Sequence, residues 1–135
     1  MQFEYNGYTA FSESKNAFQG DDPEKGLFST AHFQFKVGKL LLGSFRMSPM
    51  PGCCGVVISH ETHLAPAYRN TGYSDRFREI KEALAKHLGY SVMIATTQMH
   101  NLSAVGNMYK SKYNMVDTFN NKRTNNLIGI GIKKL

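Results

Sequence analysis

The residues best suited to chemistry lie in the stretch Pro66-Ala-Tyr-Arg-Asn-Thr-Gly-Tyr-Ser74. An apolar run, Gly55-Val-Val-Ile-Ser59, leads towards it and reads as a strand. Asp75–Leu88 follows and reads as a helix, with Phe77, Ile80, Leu84 and Leu88 on one stripe. A polar loop holding Arg69 and Gly72 between strand and helix suits a phosphate group. The first N–H groups of the helix have no partner within it, its dipole presents a positive end, and glycine lets the backbone approach a ligand closely. Just upstream, His60-Glu-Thr-His63 offers titratable side chains. On an unbroken strand His60 and His63 point to opposite faces, and the helical His-Glu-x-x-His spacing is absent, so no metal site is expected.

The elements that must position these residues follow from periodicity. Phe3–Tyr5 and Tyr8–Phe11 flank Asn6-Gly7, a two-residue hairpin signal. Ser12–Phe18 reads as a short helix capped by Ser12, and Pro23-Glu-Lys as the opening of a second helical turn. His32–Lys36 alternates, Val37-Gly38 can turn, and Lys39–Met47 is strongly apolar, which gives two antiparallel strands. Ser48-Pro-Met-Pro-Gly52 reads as a loop, because proline cannot serve a central ladder. Beyond the helix ending near Gly89, Tyr90–Thr96 reads as a strand. The strand–helix–strand crossover pairs it in parallel with the Gly55 strand. Asn101–Tyr113 has helical spacing, and Met115–Phe119 and Leu127–Ile132 form a last strand pair joined by Asn120–Asn126. The result is a mixed α/β sheet.

Bulk properties limit the function classes. A chain of 135 residues with 41% hydrophobic content is expected to be one domain, 1–135, with a real core. No apolar run approaches the roughly 20 residues of a membrane span. The N-terminus shows no basic region followed by an apolar stretch, so a cytoplasmic protein is expected. Cys53 and Cys54 are adjacent and read as small apolar residues at the start of a buried strand in a reduced compartment. The net charge of +6 favours anionic partners. The basic residues are dispersed, with Arg76, Arg78, Lys81 and Lys86 on the first long helix reading as a solvated face. No nucleic-acid motif accompanies them, so a nucleic-acid module ranks last.

From Ala31 onward the chain resembles the GCN5-related N-acetyltransferase (GNAT) superfamily. The family signature is an apolar residue, any residue, Pro, two residues of which the second is aromatic, then Arg-x-x-Gly-x-Gly/Ala. Leu64-Ala-Pro66-Ala-Tyr68-Arg69-Asn-Thr-Gly72-Tyr-Ser74 follows it, with Ser74 in the last position. Ala83–Gly89 resembles the family's small-residue-rich turn into a strand, and Asn101-Leu-Ser-Ala104 its Asn-x-x-Ala at the start of the last helix. That helix ends in Tyr113 where the family usually has Phe after Gly. The chain's length is similar to that of small, phage-encoded members, which would place it in the host cytoplasm.

The resemblance implies a mostly antiparallel sheet with a central splayed parallel pair flanked by helices. It implies acetyl-CoA as co-substrate, with the pyrophosphate on Arg69, Asn70, Thr71, Gly72, Tyr73 and Ser74 and the pantetheine arm on main-chain groups of Leu64 and Ala65. Asn101 belongs to the same cofactor set. Many family members use a Tyr seven residues after that Asn as the acid for the leaving thiolate. Position 108 is Met, so Tyr109, one residue further on, is the candidate acid, and a shifted helix start or a bulge would be needed for it to reach the sulfur. For the base, the strand entering the loop offers His60, with Glu61 as rival if a bulge shifts the register. The function implied is direct transfer of an acetyl group to an amine: a protein lysine, a chain N-terminus or a small amine. An acidic protein is one candidate acceptor, a homodimer is left open, and Met1–Ser29 corresponds to the family's variable, substrate-facing region. The alternative is a non-catalytic GNAT-like protein acting through a protein partner.

Overall fold

A computed structural model describes residues 1–13 and 26–135. The chain order is β1 (Gln2–Tyr5), β2 (Tyr8–Phe11), β3 (Ala31–Val37), β4 (Leu40–Pro49), β5 (Val56–Leu64), α1 (Tyr73–His87), β6 (Val92–Gln98), α2 (Leu102–Lys110), β7 (Asn114–Asn120) and β8 (Leu127–Lys134). The strands form one sheet in the order β1-β2-β3-β4-β5-β6-β8-β7. Every neighbouring pair is antiparallel except β5–β6, the pair expected from the crossover. The helices expected at Ser12–Phe18 and from Pro23 fall on residues 14–25, outside the described residues but for Ser12 and Glu13. No helix among the described residues is long and apolar enough to cross a membrane.

The core lies between α1 and one face of the sheet. Phe77, Ile80, Leu84 and Leu88 pack on Phe33, Phe35, Phe45, Met47, Val57 and Met93, all essentially shielded from solvent. Phe33 stacks on Phe45 at 5.1 Å between centroids, and Phe77 meets Phe35 at 4.5 Å and Phe45 at 5.6 Å. These side chains alternate along β3 and β4, so period-2 strands meet a period-3.6 stripe at one apolar layer.

Among the departures from expectation, two element ends have local reasons, and one expected burial fails. β4 runs through Ser48 and Pro49 instead of stopping at Met47. Met50 N–H donates to Val56 O, so the adjoining Pro49–Val57 pair exchanges no hydrogen bonds. The missing N–H of Pro49 then points to the side where β3 has already ended, and the ladder loses nothing. α2 stops at Lys110, short of Tyr113, in a Schellman motif. Lys112 N–H donates to Tyr109 O, Tyr113 N–H donates to Met108 O, and Lys112 takes the left-handed conformation (φ 65). Cys53 and Cys54 are exposed in a turn ahead of β5, not buried at its start.

The decisive irregularity is in β5. Between the pairs Arg46–His60 and Ser44–His63, Phe45 of β4 stands against both Glu61 and Thr62 of β5. Glu61 carries the bulge in a left-handed conformation (φ 51). The extra residue reverses the alternation downstream. His60 and His63 therefore face the same side, opposite Arg46 and Ser44, contrary to the unbroken-strand expectation. Among the described residues no group of three or more His, Cys, Asp or Glu side chains is arranged to hold a metal ion.

Gly43 marks how tightly this region is built. A Cβ there would overlap His63 O and lie 2.9 Å from the Phe77 ring. Gly43→Ala is therefore expected to cost about 2–3 kcal/mol in denaturant unfolding. An unchanged midpoint would show that the bulge and Phe77 give way freely.

Candidate functional site

β5 and β6 pair from Val56–Val92 only as far as Ser59–Ala95. Beyond that point β5 continues to Leu64 and β6 to Gln98 without pairing, so the two parallel strands part just where β5 bulges. A cavity of about 460 Å³ opens above the gap. Its floor is Ser59, Ala95, Thr96 and Thr97, with His60, Glu61, Thr62 and Leu64 along the β5 edge. One wall is α1, through Ser74, Phe77, Arg78 and Lys81. The other is α2 and its exit, through Ala104, Asn107, Met108, Ser111 and Tyr113.

At one end stands the N-terminus of α1. Gly72 is the N-cap (φ 87) and supplies no side-chain cap, so the N–H groups of Tyr73, Ser74 and Asp75 are left without helical or cap partners. Asn70 is also left-handed (φ 59), and Thr71 Oγ1 donates to Tyr68 O at 2.6 Å, which fixes the turn. Together the turn and helix start form a cradle of main-chain donors for an anion. The Tyr73 ring turns away, edge-on to Tyr8 and Tyr68, so only its N–H faces the cradle.

The main chain of β5 is also open to the gap. Ala65 N–H donates to Leu42 O and Ala65 O accepts from Tyr68, so Ala65 is committed within the chain. By the alternation of an antiparallel ladder the N–H of Leu64 then turns toward the gap. Leu64 O accepts from Arg69 Nε at 2.9 Å, so the Arg69 side chain folds back on the strand end.

The candidate base and acid are placed differently. His60 lines the cavity, and its Nε2 shares a 2.7 Å hydrogen bond with Ser48 Oγ, which in turn bonds Thr30 Oγ1 at 2.7 Å. Glu61 touches the cavity but is paired with Arg46 Nε at 3.0 Å. Tyr109 does not line the groove. It is 59% exposed, because each residue turns a helix by about 100° and Met108 takes the inward position. Asn101 is exposed, and its Oδ1 caps α2 by accepting from Ala104 N–H at 3.1 Å.

The structure adds residues that the sequence reading passed over. Arg78 and Lys81 belong to the groove wall, not to a solvated face. Lys81 falls one turn after Phe77 on the inward stripe, a charged residue among apolar positions, and that pattern was the available signal. Its Nζ donates to Thr62 Oγ1 at 3.1 Å and lies over the Phe77 ring at 5.2 Å. Burial lowers its pKa from 10.5 to about 8, against the opposing pull of Glu82. Tyr113 is delivered to the groove by the Schellman motif. Its hydroxyl donates to Met93 Sδ at 3.0 Å, and burial pushes the phenol well above its ordinary value. Asp75 joins the two walls, 3.0 Å from Arg78 and 3.7 Å from Lys110 of α2. The Arg78 hydrogen bond is the main cause that holds its carboxyl below the usual range.

No family model matches the chain, and no curated protein matches it in sequence. Solved structures match it by shape. A GNAT family acetyltransferase from Elizabethkingia anophelis with acetyl-CoA bound superposes with a TM-score of 0.75 at 12% identity, over 97% of this chain and 100% of that one. A probable GNAT-family acetyltransferase from Chromobacterium violaceum gives 0.70 at 16% identity, over 98% and 90%. The ribosomal-protein-S18-alanine N-acetyltransferase from Escherichia coli gives 0.66 at 10%, over 82% and 72%. The fold is the GNAT fold, with the parallel pair and flanking helices in the expected places.

Lys81 gives a test of the wall. Between pH 8 and 10.5 the unfolded chain holds a proton on this amine that the folded chain has released, so stability rises with pH across that window. Below pH 8 the cost of burying the charge is present in full. Lys81→Met should therefore be more stable than the parent at pH 7, by about 1–2 kcal/mol after discounting for partial exposure. The advantage should fade by pH 10.5, as read from chemical denaturation at several pH values. An advantage that does not change with pH would mean that Lys81 is solvated.

Proposed function

We propose that the chain is an acyl-CoA-dependent N-acetyltransferase that moves an acetyl group directly to an amine. The observation that carries this reading is the juxtaposition of the β5–β6 gap with the uncapped start of α1, at two ends of one groove. The cradle Arg69–Ser74 would take the pyrophosphate on main-chain N–H groups. Leu64 N–H would pair with the pantetheine arm as an added strand pairs with a sheet edge, while Ala65 supports the strand end through its bond to Leu42. Ser74 lines the groove and tolerates this use, since its hydroxyl can donate to a phosphate oxygen. Asn101 contributes by capping α2 and so setting that wall.

His60 is the base in this reading. In the tautomer whose Nε2–H donates to Ser48 Oγ, Nδ1 carries the lone pair that would take the proton of an incoming ammonium. The acceptor is an amine on a protein lysine, a chain N-terminus or a small molecule, and the net charge of +6 favours an acidic carrier. The exposed Tyr109 favours a second reading, a GNAT-fold protein that binds acyl-CoA and acts through a partner without catalysis.

Thermal unfolding with acetyl-CoA tests the cofactor site. Ligand at a hundred times its dissociation constant should stabilise the chain by about 2.7 kcal/mol. Ser74→Glu should keep the unliganded melting temperature, because a carboxylate suits a helix N-terminus, yet weaken acetyl-CoA binding tenfold or more by repelling phosphate, on the order of 1.4 kcal/mol. No shift at about 1 mM acetyl-CoA would remove the reading. Thiol release with a panel of amines then separates the enzyme from the binder.

A further inference from the structure

Lys81 is the titratable group in the groove with the least conventional position. Eight residues from the start of α1, it stands about 12 Å along the helix axis from the N–H groups of the cradle. With the phosphates on the cradle, an acyl-CoA whose arm entered the groove would carry its thioester end toward this part of the wall. Thr62, to which Nζ donates, is the second bulge residue, at the edge where β5 and β6 part. The groove thus holds a primary amine of the acceptor's own chemical class, fixed between a hydroxyl and the Phe77 ring.

We propose that Lys81 is itself acylated by the acyl-CoA bound in its groove. The inference rests on the acyl-CoA reading of the site. The free amine attacks the thioester carbonyl carbon, and a C–N bond forms as the C–S bond breaks. The electron pair leaves on sulfur, and the proton displaced from nitrogen passes to the thiolate. Acetyl-CoA and Lys81 become N-acetyl-lysine and free CoA, with no other reactant needed.

The surroundings favour the step. A lysine must shed its proton to be a nucleophile, and burial has already made that easier. Arg78 on α1 opposes the ammonium and Glu82 supports it. Glu82 is itself held by Lys133 of β8 at 2.8 Å, which blunts its pull on Lys81. His60 and Glu61 on β5 and Tyr113 beyond α2 are the other titratable groups around the cavity. Glu61 is engaged by Arg46, and Tyr113 stays a neutral phenol. Acetylation would remove a charge from the wall and add an acyl group to the groove, which makes the reaction self-limiting.

The full chain should be incubated with acetyl-CoA at pH 8 and acetylation followed at each lysine by peptide mass spectrometry. Lys81 should gain one acetyl group at least about tenfold faster than exposed Lys110, saturably in acetyl-CoA and with inhibition by free CoA. Lys81→Arg keeps the charge, should still be stabilised by acetyl-CoA, and should lose the fast-forming acetylated species from its intact mass. Two outcomes overturn the proposal: an unmodified Lys81 in a chain that acetyl-CoA demonstrably stabilises, or labelling of all lysines at one common rate. Absence of any acetyl-CoA stabilisation would instead overturn the cofactor reading on which it rests.

Discussion

The bulge at Glu61 and Thr62 against Phe45 is the constraint on which the rest of this molecule depends. Upstream of it β5 is an ordinary interior strand, paired on both sides and buried under α1. Downstream it keeps β4 and abandons β6, because an extra residue bends and twists the strand that carries it. A parallel sheet normally leaves no main-chain group of an interior strand unpaired, since each such group costs free energy when buried away from water. Here the loss is confined to a few residues that open onto a groove. The Phe77 ring packs over the bare backbone of Gly43 beside His63 and Leu64, so the strand end below the bulge is tightly built and not frayed.

The walls of the groove are tied to one another as well as to the sheet. Asp75 in the first turn of α1 reaches Lys110 in the last turn of α2, and Lys133 of β8 reaches back to Glu82 of α1. Asp75 also interacts favourably with the dipole of its own helix, although it adds negative charge near the proposed phosphate cradle. Arg78 and Lys110 offset that charge. Two of the chain's basic side chains are therefore held on the groove walls by a single carboxylate.

Much of this was legible in the residues. Asn6-Gly7 announced its hairpin, the Phe77–Leu88 stripe announced α1, and the crossover required β5 and β6 to be parallel. The sequence places the start of that helix at Asp75, two residues late, because its N-cap is Gly72 rather than a capping side chain. What escaped had no distinctive residue type behind it. The bulge uses Glu61 in a left-handed conformation without glycine, so counting in twos misplaced His63 relative to His60. α2 ends in a Schellman motif built on Lys112 rather than glycine, and periodicity ran past it to Tyr113. Lys81 was hidden by the habit of assigning charged residues to solvent. The Met108-for-Tyr departure was visible, and the helical period correctly warned that Tyr109 would be displaced.

Methionine dominates the packing behind the α2 wall. Met99 and Met115 place their sulfurs where a Cβ on Gly129 would stand, 2.6 and 2.7 Å from it, Met108 sets its terminal methyl against Gly131, and Met93 accepts from Tyr113. Unbranched thioether side chains change rotamer at little cost and fill irregular space readily. The wall is thus cushioned by soft side chains over bare backbone, where a branched core would brace it rigidly. Such compliance is torsional, so the volume of the groove sets no hard limit on the width of what it can admit.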